Sequence, residues 1–310
     1  MGGSEEHEEG RNVKQAREIG AGQFIEDKLR EFLLQLEKRR GADVITFFGP
    51  LLPPVDNVIR SSVEEIKKRK KTLLMILETD GGEVEVVQRI AETLRRHYKR
   101  VEFIVPNHAM SAGTVLVMSG DEIWMDYYAV LGPIDPQVRP RQGRASGAVP
   151  ALGYLVQYER LLEKANTKNG LNTAEMAILL QFDPAELYRY EQARNLSIRL
   201  LKQWLVKYKF RNWKKTRTRS IPVTRKMRLD RAEQVAEKLN DIDRWHTHGR
   251  GISMQVLRKD LGLEISDFEK DKELSREIRE YYTLLSDYLL KLGMEWVIHT
   301  REIFVPIGGR

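Results

Sequence analysis

The sequence predicts an α/β protein, with a mainly parallel β-sheet flanked by helices and a largely helical second half. Between residues 41 and 150, short apolar segments of strand length alternate with amphipathic helical segments. The connections between them are short, as in βαβ units with right-handed crossovers. From residue 151 onward, the apolar residues recur almost entirely with helical spacing.

The elements of the first half follow one another in a regular order. Residues 1–12 are mostly polar and are expected to form a disordered tail, whereas residues 13–40 have the apolar spacing of a helix. The segment 41–150 is expected to form the α/β core. Its predicted strands are 43–48, 72–77, 101–105 and 122–125, and its predicted helices are 55–71, 83–98 and 111–118.

The second half, residues 151–310, is expected to complete this core and to extend it with helices. A stretch rich in Gly, Pro and Arg at 138–150 predicts the loop that separates the two halves. The predicted helices are 153–166, 173–180, 184–208, 231–239, 253–261 and 272–292, and residues 295–306 predict a final strand.

The composition limits the class of protein. The 310 residues include 52 Lys and Arg against 45 Asp and Glu, a net charge of +7 that suits an acidic partner without requiring one. The absence of cysteine excludes a disulfide scaffold, a cysteine nucleophile and thiolate metal sites. The polar first ten residues do not resemble a signal peptide, and no stretch predicts a transmembrane segment. We expect a soluble, cytoplasmic protein that could lie peripheral to a membrane.

Two consecutive glycines, Gly81 and Gly82, lie between the strand predicted at 72–77 and the helix predicted at 83–98. They allow the backbone to turn sharply and leave amide groups at the positive end of a helix. Such amides can hold an anion or a developing oxyanion. The ordinary alternative is a tight turn that binds nothing.

Ser111 lies in the sequence Ala-Met-Ser-Ala-Gly-Thr at 109–114, where a predicted strand turns into a short helix. A nucleophilic serine needs this placement, because its hydroxyl must project from the turn and a neighbouring amide must face the oxyanion. The Ala112 amide would then join that of Gly81 or Gly82. Both turns follow neighbouring parallel strands, so they should meet at one edge of the sheet. The ordinary alternative for Ser111 is a helix N-cap.

These motifs resemble those of the Clp/crotonase-fold serine peptidases, in particular the signal peptide peptidase-like branch called serine dehydrogenase proteinases. The resemblance covers residues 40–260 and is weaker at 245–252. It implies the crotonase, or Clp protease-like, fold with a helical C-terminal extension. The segments that carry it are Thr-Asp-Gly-Gly-Glu at 79–83, Ala-Met-Ser-Ala-Gly-Thr at 109–114, Asp-Glu-Ile-Trp-Met-Asp at 121–126 and Val-Leu-Gly-Pro-Ile-Asp-Pro-Gln at 130–137.

The resemblance implies a serine peptidase that cleaves peptide bonds through an acyl-enzyme on Ser111. It implies an oxyanion hole formed by Gly81 or Gly82 with Ala112. The segment 131–137, including Gly132 and Pro133, would line the site. The resemblance also implies a homo-oligomer that takes peptide or protein substrates and needs no cofactor.

The sequence leaves the identity of the general base open. Clp-type enzymes have a histidine in the region that here reads Ile-Asp-Pro at 134–136, so that triad is absent. The signal peptide peptidase branch has a lysine further along the chain, and Lys164 falls in that window. A lysine base needs burial to lower its pKa, and the ordinary alternative is an exposed helix lysine. His248 is a second candidate because imidazole titrates near neutral pH, and His108 is a third.

No metal site is predicted. The His-Thr-His sequence at 246–248 has no cysteine near it, and no carboxylate has a recognisable partner spacing. The sequence also lacks a P-loop motif, which excludes that class of nucleotide site.

A basic segment at 202–231 contains twelve Lys or Arg residues and one Asp. The aromatic residues Trp204, Tyr208, Phe210 and Trp213 are interleaved with them. Such a segment could hold single-stranded nucleic acid, an acidic membrane surface or an acidic protein partner. The ordinary alternative is a solvated basic face whose aromatic residues pack inward.

Three functions therefore follow from the sequence. The first is a serine peptidase that uses Ser111 and either Lys164 or His248. The second is a catalytically inactive Clp-like scaffold that binds nucleic acid or a protein partner through residues 202–231. The third is acyl-thioester chemistry, as elsewhere in the crotonase superfamily, but such enzymes do not need the serine found at position 111.

Overall fold

A seven-stranded sheet forms the centre of the computed structural model, which describes residues 5–134, 137–138, 149–216, 219–245, 247 and 249–308. The strands of this sheet and of two smaller sheets are β1 (Asp43–Phe48), β2 (Thr72–Glu78), β3 (Arg100–Ile104), β4 (His108–Ala109), β5 (Glu122–Met125), β6 (Val130–Leu131), β7 (Gln137–Val138), β8 (Val149–Pro150), β9 (Ile252–Ser253), β10 (Ser266–Asp267), β11 (Trp296–His299) and β12 (Phe304–Ile307).

Helices cover this sheet and form most of the second half. They are α1 (Glu5–Arg40), α2 (Val55–Glu65), α3 (Val84–His97), α4 (Ala112–Val117), α5 (Ala151–Ala165), α6 (Thr173–Leu179), α7 (Pro184–Trp204), α8 (Arg225–Leu239), α9 (Ile242–Trp245), α10 (Met254–Lys259) and α11 (Lys272–Leu292). A π-helical turn (Leu205–Lys209) continues α7, and a 3-10 turn (Phe268–Lys270) precedes α11.

The sheet has the strand order β10-β5-β3-β2-β1-β11-β12. The strands from β10 to β1 are parallel, whereas β11 and β12 are antiparallel to their neighbours. Short strands β4, β6 and β9 form a second, three-stranded sheet beyond the carboxyl end of β3. The α/β class with a mainly parallel sheet is therefore confirmed.

Strand β2 shows why the sheet has helices on both faces. Its side chains alternate between the two faces, and both sets are apolar and buried, as expected of a parallel strand covered on both sides. Leu73, Met75 and Leu77 pack into a core with α2, α3 and α4. Leu74 and Ile76 pack into a second core with α1 and α11.

The end of the chain corrects one prediction. Instead of one strand at 295–306, β11 and β12 form an antiparallel hairpin. The Thr300 hydroxyl accepts hydrogen bonds from the amides of Glu302 and Ile303 and so closes a turn in the middle of the segment. The turn falls in the polar run His-Thr-Arg-Glu at 299–302, which separates two apolar segments and was not used as a turn signal in the prediction.

Several helix boundaries also differ from the predictions; α8, for example, begins at Arg225 instead of residue 231. α2 ends at Glu65, and the cationic residues 67–71 that follow are not helical. Lys70 instead binds across the chain, since its ammonium donates to the carbonyl oxygens of Glu37 and Ala42. α1 begins at Glu5, inside the segment expected to be a tail, in a run rich in residues that favour helix. The division of the chain into separate units stays a prediction.

A buried histidine, His299, lies in β11 next to the neighbouring strand β1. Its Nδ1 atom is 2.9 Å from the Tyr281 hydroxyl, which in turn donates to Thr46 Oγ1 at 2.7 Å. His299 is only 2% exposed, and this burial lowers its pKa to about 3. The imidazole is therefore neutral in the folded protein at every pH where the protein is normally handled.

We expect His299 to make the protein less stable in acid. The unfolded chain has a histidine pKa of about 6.5, so between pH 6.5 and pH 3 it binds a proton that the folded chain does not. The stabilisation is fully present above pH 6.5 and falls as the pH is lowered. Urea unfolding of wild type and His299→Gln should show the wild type losing about 3 kcal/mol relative to the variant from pH 7 to pH 4. Parallel pH curves would contradict this prediction.

Candidate active site

Ser111 lies in a strained turn between β4 and α4. The residue is 1% exposed, and its φ of 50° and ψ of −117° are unusual for a residue with a side chain. In α/β-hydrolases, a strand-to-helix turn places the nucleophilic serine. The Ser111 side chain does not cap α4, so the N-cap alternative does not describe it.

One threonine hydroxyl and a backbone hydrogen bond hold this turn. The Met110 amide donates to the carbonyl oxygen of Thr79 at 2.9 Å. The Thr114 hydroxyl lies 2.8 Å from the carbonyl oxygens of both Ala109 and Gly132, and it accepts the Gly132 amide at 3.0 Å. Thr79 and Thr114 lie in the motifs seen in the sequence, but sequence reasoning gave them no role, because their bonds to Met110 and Gly132 join segments that only the fold brings together.

The structure brings the Gly81–Gly82 turn into contact with the Ser111 turn. A Cβ atom on Gly81 would lie 2.9 Å from Ser111 Cβ and 3.0 Å from the carbonyl oxygen of Met110. A Cβ atom on Gly82 would lie only 2.2 Å from the carbonyl oxygen of Leu51. Both positions have a positive φ that favours glycine, and at Gly82 the added carbon would also meet backbone atoms that cannot move aside.

The amides of the two glycines differ in a way that the sequence cannot show. The Gly81 amide donates to Thr79 Oγ1 at 3.0 Å, so it is already bound. Within the described part of the chain, the amides of Gly82 and Ala112 have no hydrogen-bond acceptor. The Ala112 nitrogen is 3.4 Å from a Cβ placed on Gly81, so the helix start and the glycine turn are adjacent.

Gly132 and Pro133 are buried on the other side of the Ser111 turn. A Cβ atom on Gly132 would lie 3.0 Å from the Ser111 nitrogen and 2.9 Å from Met110 Cε. The strand before them, β6, pairs with β4, which places Leu131 opposite Ala109. The glycine thus allows this segment to approach the serine closely.

Of the two candidate bases, the structure describes only Lys164. Lys164 lies near the end of α5, where its ammonium is 2.5 Å from Glu175 Oε1 and its side chain is 48% exposed. That polar partner replaces the apolar surroundings that a lysine base needs. His248 lies outside the described residues, so its position relative to Ser111 stays a prediction.

His108 is joined to the glycine turn. Its Nε2 atom is 3.0 Å from Asp80 Oδ1, and the Asp80 side chain is 95% exposed. This hydrogen bond connects the residue before Gly81 to the strand that leads into Ser111. It links the two turns from the solvent side, but such an exposed pair contributes little to stability.

The basic segment 202–231 uses its aromatic residues for packing. Trp204 and Phe210 are buried in the main core, and Trp213 packs against them. The Arg95 guanidinium lies over the Tyr208 ring at 3.7 Å while it also binds Asp121. These rings are therefore not arranged as an exposed stacking platform for bases.

Several cations of the same segment remain at the surface, among them Lys214, Lys215 and Arg219. Lys209, in the π-helical turn, is different. Loss of hydration lowers its pKa to about 8, although the carboxylates of Glu264 and Glu122 favour the charged form. The segment is thus a packed part of the fold that presents some charge to solvent.

Comparison with known proteins gives two archaeal relatives. "Uncharacterized protein MJ0137" of Methanocaldococcus jannaschii is 28% identical over 273 residues, which cover 83% of this chain and 77% of the relative. "Uncharacterized protein MJ1495" of the same organism is 26% identical over 288 residues, covering 88% of this chain and 79% of the relative. Both matches thus extend well beyond the α/β core.

A search of solved structures finds a mutant form of the "1510-N membrane-bound stomatin-specific protease". The match has 15% identity and a TM-score of 0.30, and it covers 47% of this chain and 74% of that protein. A TM-score this low does not by itself indicate a shared fold.

The family comparison covers the site itself. Residues 55–167 match the family model described as "ClpP-like SDH-type serine proteinase", and this range includes the Gly81–Gly82 turn, Ser111 and Gly132. It also spans the parallel strands that position these residues. Over residues 55–167 the chain is thus similar to the ClpP-like SDH-type serine proteinases, and this similarity supports a serine peptidase at the family level.

Proposed function

We propose that this protein hydrolyses peptide bonds through an acyl-enzyme on Ser111. The observation that carries the proposal is the strained, buried Ser111 turn beside two amides, those of Gly82 and Ala112, that lack acceptors among the described residues. A positive φ at a serine is retained where the surrounding structure enforces it, which is typical of functional sites.

The proposed reaction has two steps. Ser111 Oγ attacks the carbonyl carbon while the general base takes the hydroxyl proton, and the carbonyl oxygen becomes an oxyanion held by the Gly82 and Ala112 amides. The C–N bond then breaks, and the amine leaves with that proton. A water molecule, deprotonated by the same base, hydrolyses the ester and restores Ser111.

The general base is proposed to be Lys164 or His248. Lys164 would have to leave Glu175 to serve Ser111, because its ammonium is engaged with that carboxylate in the structure. Single substitutions, Lys164→Ala and His248→Ala, separate the two candidates. The true base is the residue whose loss removes activity without unfolding the protein.

Labelling with a fluorophosphonate probe, read by intact mass, tests the nucleophile. We expect the wild type to form one adduct, because Ser111 Oγ bonds to phosphorus and fluoride leaves. Ser111→Ala should form none and should cut unfolded β-casein at least about 10³-fold more slowly. A matched control is Ser61→Ala, which removes an exposed hydroxyl from α2 and should label like the wild type.

Two results would reject this proposal. One is a folded wild type that neither forms an adduct nor cleaves β-casein. The other is an adduct that persists in Ser111→Ala, since the reactive group would then lie elsewhere.

A scaffold that binds an acidic partner through residues 202–231 is the second function expected from the sequence. Exposed lysines and arginines leave it possible, but the inward packing of Trp204 and Phe210 supplies no observation in its favour. We therefore place the peptidase first.

The expected homo-oligomer and cytoplasmic location are also part of the proposal. Helix α6 buries none of its residues and exposes Met176 and Ile178, and Leu180 follows it with 78% exposure. Exposed apolar residues of this kind suit a contact between subunits. Among the described residues, none of the helices is both long enough and apolar enough to cross a membrane.

A further inference from the structure

Two adjacent tyrosines form an exposed aromatic pair near the proposed active site. Tyr127 is 72% exposed and Tyr128 is 63% exposed, and their ring centroids lie 6.4 Å apart in an edge-to-face arrangement. They lie in the turn between β5 and β6. Large aromatic side chains left in solvent next to each other are uncommon and often mark a binding surface.

A buried carboxylate holds the turn that carries the pair. The Asp126 side chain is fully buried, and its Oδ1 atom accepts the amides of Tyr128 at 2.9 Å and Ala129 at 2.7 Å. Its second carboxylate oxygen binds the Arg279 guanidinium from α11. The rings therefore project from a fixed backbone, so a ligand that binds them orders little of the protein.

The pair is connected directly to the site by a short piece of chain. After Tyr128, strand β6 pairs with β4 so that Val130 lies opposite His108. Two residues later, Gly132 lies against Ser111, with 3.0 Å between a Cβ placed on it and the serine nitrogen. Gly132 is four positions after Tyr128, a stretch that an extended chain spans in at most about 14 Å.

The charges around the pair favour one kind of partner. Asp126 directly precedes the tyrosines in the chain, and Arg279 binds both its carboxylate and that of Glu269. Two carboxylates paired with one guanidinium leave a net negative charge, which does not attract the phosphates of nucleic acid or of anionic lipid. An unfolded peptide with an apolar side chain has no such conflict and already has to lie beside Ser111.

We propose that Tyr127 and Tyr128 are specificity residues that hold an apolar side chain of the peptide substrate at a distance of up to about four residues from the scissile bond. The distance follows from the chain length between Tyr128 and the Ser111 turn and the rise of an extended peptide, about 3.3 Å per residue. This inference rests on the proposed peptidase function and adds a substrate preference to it.

Digestion of unfolded β-casein, with the cleavage sites mapped by mass spectrometry, tests this inference. Wild type should favour sites with an apolar residue at a fixed offset on one side of the cut. The double substitution Tyr127→Ser and Tyr128→Ser should lose that offset preference and raise KM about 5- to 10-fold, with a much smaller change in kcat. Tyr188→Ser is the matched control, since that tyrosine is 64% exposed on α7.

The outcomes separate this inference from the proposed function. Unchanged KM and an unchanged cleavage pattern in the double variant would overturn the inference alone, as would a change confined to the oligomeric mass. If the wild type forms no fluorophosphonate adduct and cuts no casein, the peptidase proposal fails instead. Fluorescence anisotropy of a labelled casein peptide then decides: weaker binding to the double variant supports the tyrosine contact, and equal binding overturns it.

Discussion

Gly82→Ala is expected to slow fluorophosphonate labelling of Ser111 by about 10²- to 10³-fold, the effect of losing one oxyanion-hole donor. The added Cβ would lie 2.2 Å from the carbonyl oxygen of Leu51, a backbone atom that cannot rotate away. The turn must therefore shift, and the Gly82 amide moves with it. The change removes a donor from the site while it leaves the Ser111 hydroxyl in the chain.

The measurement compares labelling rates for wild type, Gly82→Ala and Gly20→Ala. Gly20 lies in α1 with nothing within 4 Å of an added Cβ, so its substitution should leave the rate unchanged. Thermal unfolding of each variant shows whether the fold survives. A folded Gly82→Ala protein that labels at the wild-type rate would remove Gly82 from the proposed oxyanion hole.

Thr79→Val offers a milder test of the same turn. It keeps the shape of the side chain but removes the oxygen that accepts the Gly81 amide at 3.0 Å. We expect a smaller loss of labelling rate, about tenfold, because the turn is loosened without a steric clash. This variant tests the arrangement even if Gly82→Ala unfolds.

Arg301→Met is expected to lower the free energy of unfolding by about 3–5 kcal/mol, the usual cost of removing one partner from a buried ion pair. Arg301 Nη1 lies 2.9 Å from Glu37 Oε1 and 2.8 Å from Asp43 Oδ1. Glu37 is 5% exposed and Asp43 is fully buried, so water cannot replace the lost cation. These contacts connect the C-terminal hairpin to α1 and to the first strand of the sheet.

Urea unfolding at pH 7 measures this effect. Arg276→Met on α11 is the control, because Arg276 is exposed and its loss should change stability by less than about 0.5 kcal/mol. Adding Asp43→Asn to Arg301→Met should recover part of the loss, since one buried charge is then removed. A loss below about 1 kcal/mol for Arg301→Met would show that the carboxylates are satisfied without it.

Much of the fold could be predicted from local patterns. Strands β1 and β5 and helix α11 have the bounds expected from the sequence, because apolar periodicity and flanking turn residues are properties of neighbouring residues. The C-terminal hairpin was predicted as a single strand, although the polar run His-Thr-Arg-Glu at 299–302 divides its apolar residues into two segments. The Thr300 hydroxyl closes this turn by accepting the amides of Glu302 and Ile303, and the pairing of β11 with β12 completes the hairpin.

The candidate site, like the fold, could be predicted from the sequence only in part. The Gly-Gly and Ser111 motifs were visible because each is a short segment with an unusual composition at the end of a predicted strand. The sequence could not distinguish the amide of Gly81 from that of Gly82, because the difference is a hydrogen bond to Thr79. Nor could it show that Lys164 would meet Glu175 on a neighbouring helix.

By itself, then, the sequence determined the α/β class and the two turns that meet at the carboxyl edge of the sheet. The resemblance of its motifs added the peptidase family, which the match over residues 55–167 supports. Only the tertiary structure decided which amides remain without acceptors within the described residues, and that the aromatic residues around Phe210 pack inward. The physical reason is the separation along the sequence of the residues involved. Periodicity and turn chemistry act between neighbours, whereas burial and hydrogen-bond partners depend on residues that folding brings together.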